Sequence, residues 1–111
     1  VTWVLFRVVG SVITVPFAEE LAFRGYLIRK LISRDFERVR PGHFTWFSFI
    51  VSSLLFGLLH QHLLAGALAG AAFALALYRR GRVGDAILAH VSSNALIALA
   101  VLVGNLWGFW A

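Results

Sequence analysis

Residues 3–17 are apolar apart from Arg7 and a few small or hydroxyl positions, and the run then meets Glu19-Glu20-Leu21-Ala22-Phe23-Arg24. Beyond that cluster Leu27, Ile28, Leu31, Ile32 and Phe36 recur at helical spacing, so the pattern predicts one long helix from residue 1 to about 36. Pro16 interrupts it three residues before Glu19; a proline removes one backbone donor and leaves the Val12 carbonyl without its usual partner, which predicts a kink or a water site there. Pro41-Gly42-His43 breaks the chain. Residues 44–60 predict a second helix, with residues 44–47 at the interface, and His60-Gln61-His62 a polar break after it. Residues 63–78, rich in Gly and Ala, predict a third helix; Gly66 and Gly70, with Ala65, Ala69 and Ala72 near the same face, suit close packing of backbones. Residues 86–105 predict a fourth, closed by Trp107, Phe109 and Trp110.

Composition decides what kind of helices these are. With 60% hydrophobic residues and a mean hydropathy of +0.85, the segments 44–59, 63–77 and 86–104 lack the wide polar face that a soluble bundle needs. The expectation is an all-α, polytopic transmembrane bundle of about four helices. The absence of Met and a start inside an apolar run suggest an excerpt from a longer polypeptide, and there is no signal-peptide pattern. The absence of Cys excludes a thiol nucleophile, a disulfide frame and thiolate metal sites.

A net charge of +5 and a pI near 11.2 could suit a nucleic-acid partner, yet the basic residues do not line a polar face. Of the ten Lys and Arg, five lie in loop 29–43 and three in loop 79–85. Four alternating helices put both loops on one side, and the positive-inside rule makes that side cytoplasmic. Trp3, Trp107 and Trp110 then fall at the opposite interface. Membrane lipid is the expected partner, and nucleic acid is not.

Few polar side chains remain for chemistry inside the apolar segments: Arg7, Glu19, Glu20, Arg24, His60, His62, His90 and Asn94. An intramembrane charge costs roughly 2.5–3.5 kcal/mol on insertion scales, so such a cluster marks a functional site by default. Glu20 and Arg24, Glu19 and Phe23, Phe56 and His60, and His90 and Asn94 are each four apart and share a helix face. Glu20 with Arg24 is an intrahelical ion pair, which leaves Glu19 without a partner on its own helix. A carboxylate in a poorly solvated pocket serves as a general base when a histidine and a water are hydrogen-bonded to it. His60 suits that task if it comes within about 10 Å of Glu19, the reach of a water-bridged contact. His90 and Asn94 offer an imidazole and an amide to a developing oxyanion.

Glu19-Glu20-x-x-x-Arg24, Phe56-x-x-x-His60 and His90-x-x-x-Asn94, in that order on separate apolar helices, resemble the three motifs of the CPBP family of intramembrane glutamate proteases, which contains the type II CAAX prenyl endopeptidases. The resemblance covers roughly residues 15–97, and the stretch 15–27 also resembles bacterial members. It implies a single transmembrane catalytic domain over 1–111 in a bacterial cytoplasmic membrane, with Glu19 activating water, His60 partnering that water, Glu20 and Arg24 in support, and His90 and Asn94 as the oxyanion hole. It adds the reaction, hydrolysis of a peptide bond in a membrane-associated protein or peptide substrate, CAAX-like, otherwise lipid-anchored or sorted, without a cofactor.

Other intramembrane proteases fit less well. His60 is followed by Gln61 and His62 and so gives no HExxH; Gly81-Arg82-Val83-Gly84-Asp85 misses GxGD by one residue; Ser52, Ser53, Ser92 and Ser93 lie within helices, where serine bonds the preceding turn. Glu19, His60 and His90 would also make a two-histidine, one-glutamate zinc set. It is disfavoured because Arg24 and Asn94 have natural roles without metal. A non-enzymatic alternative uses the same polar core to bind a partner, as an immunity factor or membrane scaffold would.

Overall fold

The computed structural model describes residues 1–60 and 62–110, with the side chains of 109 and 110 left aside. Gln61 of the polar break, and Phe109 and the Trp110 of the aromatic belt as side chains, therefore lie outside the described residues. Four long helical segments make the bundle: α1 over residues 2–30, α2 Trp46–Leu58, α3 Leu63–Arg80 and α4 Val83–Gly104, with no strand among the described residues. The longest dimension is 45 Å, the full thickness of a bilayer with its headgroups.

Proline sets the form of α1. Where the sequence leads one to expect a kink, the helix answers with a π-helical turn, Gly10–Thr14, in which the Val15 N–H reaches back to the Gly10 carbonyl. This shift by one residue lets the chain accommodate the buried Pro16 ring without stopping the helix. A second π-helical stretch, Leu21–Leu27, follows, with the Ile28 N–H on the Phe23 carbonyl. Pro16, Glu20, Arg24 and Ile28 are all fully buried. In an α-helix four-residue steps drift by about 40° each; the wider turn absorbs the extra residue and keeps these side chains on one face.

The first helix ends at residue 30, short of the expected 36. Arg29 explains the stop, because its guanidinium donates to the carbonyls of Gly25 (2.9 Å), Val39 (2.9 Å) and Glu37 (3.3 Å) and folds residues 31–40 back over the helix end. Thr45 opens α2 by accepting the Ser48 N–H on its hydroxyl. Gly81 ends α3 in the left-handed conformation at φ 70°.

The packing of α2 on α3 depends on glycine. A Cβ on Gly57 would lie 2.6 Å from the Leu63 carbonyl oxygen, and one on Gly66 would lie 2.9 Å from Gly57 Cα. Gly66 and Gly70 therefore face the partner helix as the small-residue pattern predicts, whereas Ala65 and Ala72 are exposed. At the other end a Cβ on Gly42 would meet Gly81 Cα at 2.6 Å, so the two basic loops touch and form one face of the bundle.

α3 and α4 are long and apolar enough to cross a membrane, with mean hydropathies of 1.3 and 2.1 over their apolar windows, and only 28% and 22% of those windows are buried. Most of their apolar surface, including Leu64, Leu68, Leu88 and Leu96, points outward, as lipid-facing helices require and soluble core helices do not. Trp46 is 69% exposed at the start of the shorter α2. The fold is an all-α membrane bundle.

Gly57→Leu and Gly66→Leu are expected to destabilise the protein by at least about 1–3 kcal/mol through overpacking, read as a lowered midpoint of thermal unfolding in detergent. Gly84→Ala, which meets nothing within 4 Å, should stay within about 0.5 kcal/mol of the parent.

Candidate active site

α1 supplies three charged groups from consecutive turns. Glu20 and Arg24 have no exposed side-chain surface, and Arg24 Nη1 lies 3.2 Å from both Glu20 carboxylate oxygens. Arg24 Nη2 donates to the Gly70 carbonyl of α3. The guanidinium also sits among three rings, with Cζ 4.8 Å from the Phe56 centroid, 5.7 Å from Phe23 and 5.9 Å from Phe73, whose faces attract a desolvated cation. Arg24 Nε has no hydrogen-bond partner among the described residues, so ring contact and the Glu20 charge carry that side of the group.

His90 of α4 comes to the other side of Glu20. Its Nδ1–H donates to Glu20 Oε2 at 2.7 Å, and its ring stacks on Phe73 at 4.4 Å between centroids. Its Nε2 is 4.0 Å from Glu19 Oε1. His60 lies just beyond the end of α2. There the His60 backbone N–H closes on Gly57, and the Phe56 carbonyl instead accepts the ring Nδ1–H at 2.6 Å; the ring stacks on Phe56 at 4.5 Å. His60 Nε2 then points to Glu19 Oε2 at 3.6 Å, well inside the reach that water-mediated chemistry demands.

The partners fix the tautomers, since a carboxylate and a carbonyl only accept. Both histidines hold their proton on Nδ1 and, when neutral, present Nε2 as an acceptor toward Glu19. Three acceptors thus face one another across 3.6 and 4.0 Å, too far for a direct bond and suited to a bridging donor such as water. Glu19 and His60 are 22% and 34% exposed at the side chain, so this gap is reachable, while Glu20 and His90 behind it are closed off.

Five of the six expected site residues, Glu19, Glu20, Arg24, His60 and His90, therefore meet in one cluster. Asn94, one turn beyond His90, turns its Nδ2 to the Ser11 carbonyl at 2.7 Å. His62 is exposed before α3, and Arg7 lies on the exposed side of α1. Grooves at the basic end, lined by Arg79, Arg80 and Asp85 and by Arg38, Arg40 and His43, include none of the cluster. No three His, Asp or Glu side chains among the described residues are arranged to hold a metal ion. Nothing in the residue pattern pointed to the Gly70 carbonyl or to Phe73; the first is backbone, and the second is one aromatic among many apolar residues.

Fold and site together define a membrane-embedded helical protein with two carboxylates, two imidazoles and a guanidinium gathered in its interior. The chain matches the family described as Rce1-like, type II CAAX prenyl endopeptidase Rce1-like, over residues 1–96, and it belongs to that family of membrane proteases. All six expected site residues fall within the matched stretch. Comparison with curated proteins and with solved structures found no match.

Arg24→Met leaves the Glu20 carboxylate buried without its countercharge and should lower stability by about 3–5 kcal/mol, measured by thermal unfolding in detergent. Adding Glu20→Gln should recover a large part of that loss, because replacing a whole buried pair is far milder than breaking it.

Proposed function

We propose that the protein is an intramembrane endopeptidase in which Glu19 activates water against a peptide bond of a membrane-associated substrate, without a metal ion. The convergence of Glu19 and two Nε2 acceptors on one reachable gap carries this reading. A water placed there donates one proton toward Glu19 and the other toward an imidazole, which points its oxygen lone pairs at an incoming carbonyl carbon.

In the reaction the water oxygen bonds to the carbonyl carbon as Glu19 takes the water proton. The carbonyl oxygen becomes an oxyanion on the His90 side, where the imidazolium form of His90, stabilised by Glu20 through Nδ1, donates to it from Nε2, while His60 keeps its Nε2 as the acceptor for the water. Glu19 returns its proton to the leaving nitrogen as the C–N bond breaks. Arg24 neutralises Glu20, so that two carboxylates on successive residues do not repel each other in a poorly solvated interior.

Family membership supports a lipid-modified C-terminal peptide of CAAX type as the substrate class. The concentration of positive charge on the joined loops 29–43 and 79–85 supports their placement on the cytoplasmic side of the membrane, and the resemblance of residues 15–27 to bacterial members supports a bacterial one.

The test uses the full-length protein in liposomes with a farnesylated CAAX peptide. Glu19→Gln and Glu19→Ala should each lower kcat at least about 10²–10⁴-fold, the range that general-base catalysis supplies. Cleavage by the parent protein should survive exhaustive chelation. Retained cleavage in Glu19→Gln would overturn the role of Glu19, and activity lost to a chelator and restored only by zinc would replace the mechanism with a metal-assisted one. Tight binding of the peptide with no turnover in the parent would favour the scaffold alternative.

A further inference from the structure

α4 grips α1 at two points one turn apart. His90 takes Glu20 at 2.7 Å, and Asn94 takes the Ser11 carbonyl at the same distance. The first contact belongs to the chemistry described above. The second has a different origin, in the backbone of α1.

In a regular helix the Ser11 carbonyl would accept from the Val15 N–H. Here that N–H has gone to Gly10. The donor next in line for a π-turn is residue 16, and Pro16 has none. The Ser11 carbonyl is thus passed over by both backbone donors that could close on it, in a turn packed against α4. A carbonyl half-buried against a neighbouring helix and left without a donor is costly. The Asn94 amide supplies the missing donor at the place where proline opened the helix.

We propose that Asn94 is a positioning residue: it braces the broken turn before Pro16 and thereby holds Glu19 and Glu20, three and four residues further on, in register with His90. The proposal rests on the peptidase reading for its kinetic consequence, but the contact it invokes does not. A turn with an uncapped carbonyl can tighten or shear, and a shift of about 1 Å at a catalytic carboxylate can cost on the order of 10²-fold in rate. Asn94 therefore acts on the reaction through α1.

Pro16→Ala separates this role from direct contact with an oxyanion, because it returns an N–H to the turn and removes the need for the brace. Four proteins are compared in liposomes with a farnesylated CAAX peptide: parent, Asn94→Ala, Pro16→Ala and the double variant. Asn94→Ala is expected to lower kcat about tenfold or more with KM within about twofold, and the double variant to return to within about threefold of Pro16→Ala, a coupling between the two sites. Amide hydrogen exchange over residues 10–20 should rise in Asn94→Ala and fall back in the double variant.

An Asn94→Ala kcat loss of equal size in the parent and in the Pro16→Ala background overturns the brace and returns Asn94 to the oxyanion. If Asn94→Ala yields no folded protein, recovery of folded protein in the double variant supports the brace, and failure of both overturns it. A parent protein with no peptidase activity would sink the functional reading alone, since the exchange and unfolding comparison across the four proteins still decides the role of Asn94.

Discussion

A guanidinium with no exposed surface, Arg24, is the constraint around which the bundle is arranged. In a membrane interior such a charge must find a countercharge and carbonyls within the protein. Each of its contacts recruits a different helix: Glu20 from its own, the Gly70 carbonyl from α3, and the face of Phe56 from α2. Glu20, once neutralised, can accept the Nδ1–H of His90 and bring in α4. The glycines follow from the same demand. Arg24 reaches the backbone of α3 only where residue 70 has no side chain, and a Cβ at that position would press on Phe56 at 3.0 Å, the ring that covers the guanidinium.

The two adjacent glutamates show how one turn of helix separates two kinds of carboxylate. Glu20 faces inward, is fully buried and has an arginine and a histidine as partners. Glu19 is rotated by about 100°, is partly exposed, and faces two imidazole nitrogens across gaps that only a further donor can close. The buried carboxylate is held by fixed partners, and the accessible one is left with lone pairs that no direct bond uses, the difference on which the proposed division of labour rests.

Much of this is legible in the residues. Four-residue spacing places Glu20 on Arg24 and puts Glu19 on a neighbouring face, because i to i+4 geometry is a local property of any helix. The number and order of the helices follow from hydropathy, and the joining of the two basic loops from simple alternation of direction. What spacing does not reveal comes from backbone register. The Val12 carbonyl is the expected casualty of Pro16; the π-turn moves the partnered carbonyl to Ser11. Spacing pairs Asn94 with His90, yet its amide reaches the break in α1. The end of α1 escapes the pattern as well, since helical spacing persists to Phe36 and only the three backbone contacts of Arg29 stop the helix.

The length of α2 is what makes the accessible half of the site. At thirteen residues it spans about 20 Å, less than a bilayer core, so its C-terminal carbonyls fall inside the bundle. Helix ends leave such carbonyls unpaired. Here the last turn tightens, the His60 N–H bonds to Gly57, and the Phe56 carbonyl is freed for the imidazole of His60. That bond fixes the proton on Nδ1 and turns Nε2 to Glu19. A helix long enough to cross the membrane would have bonded Phe56 to its own backbone and carried position 60 around with the next turn. The orientation of His60 is therefore a property of where the helix stops.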